Sequence, residues 1–188
     1  MPDSITHSNP SSYVITGGPG TGKTTVLREL QRRGFAVAEE VARRIIREQI
    51  DSGGAAVPWG DMREYTNLML ARSIESFLSL KSAELPTFCD RGVPDVLCYA
   101  RIIQLADVRT ISSACKQFRY NQKVFMLPPW PEIYTTDSER KQTLEEAIET
   151  HHMMVGAYRD CQYEIVEVPR AAVELRADFI LKTCSFSP

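Results

Sequence analysis

Apolar positions along the chain keep two rhythms. One is a set of short runs rich in β-branched residues and bounded by turn formers; the other is a set of longer stretches with apolar residues three and four apart. Residues 13–16 are the first short run. After a glycine-rich stretch come Val26, Leu27 and Leu30 at helical spacing, with Gly34 placed to end the helix. The pattern predicts strand, loop and helix in that order. Residues 35–38 read as a second buried strand, followed by a helix whose one face carries Val41, Ile45, Ile46 and Gln49. Residues 52–60, SGGAAVPWG, read as a flexible loop through their glycines and proline.

Asp61 with Glu64 three residues later signals a helix start. Tyr65, Leu68, Met69, Arg72 and Ser76 mark one side of that helix and Leu70, Ile74, Phe77 and Leu78 another, so it is predicted to be largely buried. Residues 87–89 read as a third strand ending at Asp90, with Pro94 suited to open a helix over residues 95–105. Residues 123–127 read as the fourth strand. Residues 128–142, PPWPEIYTTDSERKQ, are charged and proline-punctuated, as an exposed mobile segment would be. Thr143 and Glu146 form a second capping box, with Leu144, Ala147, Ile148, His151, Val155 and Tyr158 at helical spacing behind it. Residues 163–168 read as the fifth strand, stopped by Pro169, and Val173, Arg176, Ala177, Ile180 and Leu181 belong to a closing helix.

Strands alternating with helices imply an α/β protein. The expected form is a three-layer α/β/α sandwich around a mainly parallel five-stranded sheet with right-handed crossovers. Ligands of such sheets gather at the strand carboxyl ends. Gly17, Glu39, Glu40, Asp90, the 128–142 segment and Pro169 all fall just after predicted strands, so one rim collects them.

Composition narrows the classes. With 188 residues and 43% hydrophobic content, one domain over residues 13–188 suffices to bury a core, behind a polar segment 1–12 expected to be disordered. A net charge of -2 supplies no basic footprint for nucleic acid. Five cysteines without C-x-x-C spacing argue against a disulfide framework or zinc site. No secretory signal pattern opens the chain, and no apolar run approaches the roughly 20 residues that span a bilayer. The expectation is a soluble, cytoplasmic protein without membrane insertion.

Within this frame, Gly17 to Thr24 spell G-x-x-x-x-G-K-T, a Walker A P-loop. Glycines let the backbone turn so that amides face phosphate oxygens, while the next helix offers its positive end. The expected nucleotide site comprises Gly18, Pro19, Gly20, Thr21, Gly22, Lys23, Thr24 and Thr25, with Lys23 on the β and γ phosphates and Thr24 holding Mg2+. Asp90, ending the run TFCD, either meets that Mg2+ or caps the next helix. Arg91 either grips an acceptor or pairs with a nearby carboxylate.

Glu40 and Arg43 lie three apart at the second strand's carboxyl end, where an acceptor would face the γ phosphate; their alternative is a plain helical ion pair. Glu40 would orient a hydroxyl and take its proton, and Glu39 is an alternative for that role. Residues 128–142 read as a lid, with Arg140, then Lys141, as the cation for transferred charge, or as a solvated charge run. Trp59 and Trp130 fall in loops near the expected mouth, suited to ring stacking or to packing. Adjacent His151 and His152 diverge by about 100° and suit structural roles better than a shared metal.

These residues resemble a known family. ITGGPGTGKTT, EEVAR, CDRG, KVFMLPPW with DSERK, YEIVEVP and VELRADFIL follow the order of the P-loop NTPase superfamily's nucleoside and nucleotide kinase-like branch. The likeness is closest to the AAA-type ATPase-like domain typified by the ribosylnicotinamide kinase portion of the bacterial NAD regulator, and covers residues 13–181. It implies ATP and Mg2+ as cofactors, catalytic roles for Lys23, Asp90, Glu40 and Arg140, acceptor contacts at Glu40, Arg43 and Arg91, and adenine near Val168 and Pro169. The chain departs from the family's frequent E-P-A-R with Glu40-Val41-Ala42-Arg43, so the acceptor is not carried over. No N-K-x-D guanine-reading run occurs, which favours ATP. The expected function is transfer of the ATP γ phosphate to a small hydroxyl-bearing, nucleoside-like acceptor; the alternative is an ATP-dependent regulatory switch binding a protein or lipid.

Overall fold

The computed structural model describes residues 6–80, 85–133 and 143–186. Its elements in chain order are β1 (His7–Ser8), β2 (Ser12–Gly17), α1 (Lys23–Arg32), β3 (Ala36–Ala38), α2 (Val41–Ser52), α3 (Met62–Ser79), β4 (Thr87–Asp90) and α4 (Val93–Ile102). Then follow α5 (Arg109–Gln117), β5 (Phe118–Arg119), β6 (Lys123–Leu127), α6 (Leu144–Asp160), β7 (Glu164–Glu167) and α7 (Val173–Thr183).

Five strands form one parallel sheet in the order β3-β4-β2-β6-β7. The chain leaves β2 towards the β3 edge, returns through β4, and then crosses to β6 on the other side of β2. The switch point therefore lies between β2 and β4, where Ile15 pairs in register with Asp90.

Both sheet faces are covered, which is why the strands are apolar on both faces through their middles, with polar residues mostly at their ends. Ile15, Phe88, Phe125 and Leu127 face a core completed by Val26, Leu27 and Leu30 of α1 and Ala177, Ile180 and Leu181 of α7. The alternate residues Val14, Cys89, Val124 and Met126 face α3, α4, α5 and α6. The three-layer α/β/α arrangement expected from alternation is present.

Several boundaries differ from the sequence expectation. Residues 6–12 are ordered. His7 and Ser8 pair in parallel with Phe118 and Arg119 in a second, two-stranded sheet, and the His7 ring stacks on Phe118 at 5.4 Å. These pairings are long-range, so the polar composition of the segment gave no sign of them. α5 was not expected either: its apolar positions are the sparse Ile111, Ala114 and Cys115. α3 buries one stripe, Tyr65, Thr66, Met69, Ser73 and Phe77, while Leu78 stays exposed, so it is amphipathic rather than buried all round.

Candidate functional site

The P-loop joins β2 to α1 with Gly17 at φ 155°, Gly20 at φ 78° and Gly22 at φ 76°. A side chain at Gly17 would stand 2.7 Å from the Leu127 carbonyl oxygen, so glycine is what lets β2 and β6 approach at the rim. Thr21 Oγ1 donates to the Gly18 carbonyl at 2.9 Å, closing the loop on itself. Arg176, from α7, lies behind it and donates from its guanidinium to the Thr21 carbonyl at 3.1 Å.

Lys23 opens α1 and is only 7% exposed. Its Nζ donates to Asp90 Oδ1 and stands 3.9 Å from Glu40 Oε2. Glu40, the N-cap of α2, also accepts from Arg91 Nε at 2.7 Å and lies 3.2 Å from Arg43 Nε. Arg91 occupies left-handed backbone at φ 73°, its amide donating to the Ile15 carbonyl at 3.1 Å, and its side chain reaches Asp95 Oδ1 at 3.1 Å. Three strand ends thus bring Lys23, Glu40, Asp90 and Arg91 into one cluster, with Lys23 buried and the other three partly so.

Protonation follows from that burial. Desolvation pushes the Asp90 carboxyl up against the opposing pull of Lys23, and it lowers the Lys23 ammonium, helped by Arg91 and resisted by Asp90 and Glu40. Burial also works to raise Glu40, yet Arg91 and Lys23 outweigh it and hold the carboxyl below its usual value. Arg91 is held charged by Asp95 and Glu40 against its partial desolvation.

Two spaces meet at these carboxylates. A cavity of about 380 Å³ lies among α2, α3, α4 and α6 and touches Pro19 of the P-loop. A groove of about 590 Å³ between α1 and α2 is lined by Thr24, Arg28 and Arg43 among others. Glu39, Glu40 and Asp90 border both. Thr24 and Asp90 thus face one shared space with oxygen donors of the kind a hard divalent cation takes.

The remaining expected site residues are more exposed or stand elsewhere. Thr25 is exposed, and Arg43 keeps 70% of its side chain in solvent while pairing with Glu40. Val168 is buried and Pro169 exposed just beyond β7, away from the Lys23 cluster; Arg170 ties that loop to the Pro129 carbonyl at 2.9 Å. Trp130 does not border the cavity: its ring lies 5.4 Å from the Arg176 guanidinium, and Trp59 is 69% exposed. The His151 and His152 rings are 6.1 Å apart and tilted, and no metal-binding cluster occurs among the described residues. Arg140 and Lys141, with most of the expected lid, lie outside the described residues.

Sequence reasoning missed Asp95, which accepts from Thr16 Oγ1 at 2.6 Å, Tyr158 Oη at 2.5 Å and the Gly92 amide at 2.8 Å. It also gave Arg176 no role, although a cation at an apolar helical position in VELRADFIL was the available signal.

An AAA domain family, AAA_28, matches residues 12–176. The chain belongs to this family. No curated protein matches it. Among solved structures, NadR in complex with NR superposes with a TM-score of 0.64 at 17% identity, over 91% of this chain and 50% of NadR. The chain thus spans about half the length of NadR. Thymidylate kinase from Ehrlichia chaffeensis gives 0.60 at 12% identity, over 95% of this chain and 100% of the other. Shikimate kinase from Acinetobacter baumannii in complex with shikimate gives 0.53 at 19% identity, over 94% of each chain. The AAA_28 chain therefore has a P-loop NTPase fold of the kinase-like type. No helix among its described residues is long and apolar enough to cross a membrane.

Proposed function

We propose that the chain is an ATP- and Mg2+-dependent kinase that moves the γ phosphate to a small hydroxyl-bearing acceptor. The observation that carries this reading is the meeting of the P-loop lysine, Asp90 and Glu40 beside a cavity of about 380 Å³ that the P-loop itself borders. A nucleotide held by the loop would point its terminal phosphate at that cavity, and two of the neighbouring kinases in the comparison likewise act on small molecules.

In this reading the amides of residues 18–25 hold the triphosphate, and Lys23 exchanges its carboxylate partners for phosphate oxygens. Mg2+ held by Thr24 and Asp90 would neutralise charge between the β and γ phosphates. Glu40, kept anionic by Arg91, accepts a hydrogen bond from the acceptor hydroxyl and fixes the oxygen in line. That oxygen bonds to the γ phosphorus, the bond to the β–γ bridging oxygen breaks, ADP leaves, and the hydroxyl proton passes to Glu40. A carboxylate of lowered pKa is a weak base, which suffices because loose phosphoryl transfer depends on positioning and charge more than on proton abstraction. Arg43 borders the groove side of Glu40, and Arg140, outside the described residues, would supply transition-state charge.

Incubating the full chain with γ-labelled ATP, Mg2+ and a panel of hydroxyl compounds should label one acceptor class, and Lys23→Ala should lose that labelling by about a hundredfold or more while keeping its fold. Labelling that persists in the variant, or slow acceptor-independent hydrolysis as the sole activity, contradicts the kinase reading; the latter result is that of a nucleotide switch.

A further inference from the structure

The cavity's chemistry restricts what the acceptor is, on the premise of the kinase reading. Among the described residues that line it, Arg91 is the one cation, against the carboxylates of Glu39, Glu40, Asp90 and Asp95. Arg91 already serves two of these acids, donating to Glu40 at 2.7 Å and Asp95 at 3.1 Å. A phosphate monoester entering here would meet four acids and one cation already shared between two of them, so its desolvation and repulsion would be poorly compensated. The walls beyond this polar end are Tyr65, Met69, Val96, Tyr99, Ile102 and Met154, which suit an apolar ring. One of them carries a further signal: the Tyr99 hydroxyl is buried and has no hydrogen-bond partner. Buried hydroxyls ordinarily have one.

We propose that the acceptor is a phosphate-free alcohol with a largely apolar, ring-containing body, whose hydroxyl meets Glu40 and which offers one polar atom to Tyr99. Nucleoside monophosphates are thereby excluded from the cavity.

Calorimetric titration of the nucleotide-free full chain with indole-3-ethanol and with thymidine 5′-monophosphate tests this. Indole-3-ethanol should bind about tenfold or more tightly than the monophosphate. Ser76→Trp, which fills the cavity from half-buried α3, should abolish its binding, and Tyr99→Phe should weaken it about threefold while leaving ATP affinity unchanged. Tighter binding of the monophosphate, or indole-3-ethanol affinity unaltered by Ser76→Trp, overturns the proposal. The kinase premise is read separately from ATP binding: a chain that binds the alcohol in this cavity but no ATP keeps the ligand class and loses the kinase.

A second inference rests on Arg176. It is 6% exposed, its Nε has no partner among the described residues, and its guanidinium sits against the Trp130 face with no carboxylate paired to it among those residues. A side chain at Gly22 would come within 2.8 Å of it. Because the peptide is planar and trans, a Thr21 carbonyl drawn towards Arg176 turns the Gly22 amide the opposite way. We infer that Arg176 is a positioning residue that sets the P-loop's amides for phosphate.

Arg176→Met should weaken ATP binding about tenfold, Arg176→Lys less, with indole-3-ethanol affinity unchanged in both. The melting temperature of the Met variant should hold or rise, since a buried cation with no carboxylate partner among the described residues is removed. ATP affinity equal to that of the unaltered chain in either variant overturns the inference; should the Met variant not fold, the Lys variant decides it.

Discussion

Asp95 accepts hydrogen bonds from the Thr16 and Tyr158 hydroxyls, the Gly92 amide and the Arg91 guanidinium. These donors come from β2, the β4–α4 turn and α6, so one carboxylate ties three elements together beneath the site. Asp95→Ala leaves the Arg91 charge, 26% exposed, half-paired and two buried hydroxyls without their acceptor. Urea unfolding should show a loss of about 3–5 kcal/mol, and a loss below about 1 kcal/mol would contradict this account. Legibility at this scale follows from how local each requirement is. The P-loop could be read because its glycines, lysine and threonine satisfy needs met within eight consecutive residues. Asp95 could not, because along the chain it is one more acid at a helix start and gains its partners only when Thr16 and Tyr158 arrive from 79 and 63 residues away.

Among the elements, strands buried on both faces and helices with strong caps were the readable ones. Thr143 and Glu146 do form a reciprocal capping box, and Asp61 accepts from the Glu64 amide. β1 and β5 were not readable, since two residues each give no period. α6 carries a consequence of its own. His151 is buried on it, its Nδ1 lacks a partner, and desolvation lowers its pKa from 6.5, against the pull of Glu167 and with help from His152 and Arg170. Above about pH 6.5 both folded and unfolded chains hold it neutral; below that the unfolded chain binds a proton the folded one resists. Stability should therefore fall as pH drops from 6.5 towards the lowered folded value. Denaturant midpoints from pH 8 to pH 5 should fall less steeply in His151→Gln, and parallel curves would show that another group is responsible.

Across the whole molecule, the order β3-β4-β2-β6-β7 places a switch point between the strands that end at Gly17 and Asp90. The fold thereby brings the P-loop, the Asp90 carboxylate and a walled cavity to one rim, with Glu39, Glu40 and Asp90 between cavity and groove. Alternation along the sequence was enough for the layers and the parallel sheet, but neither the closure of the cavity nor its acidic mouth could be read before the helices were packed. The account stands on nucleotide capture by the loop at this rim. Calorimetric titration of the full chain with ATP and Mg2+, beside Lys23→Ala, tests it most directly. Saturable heat for the unaltered chain that is lost in the variant is the predicted result; no heat for the unaltered chain, or equal affinity in both, would contradict it.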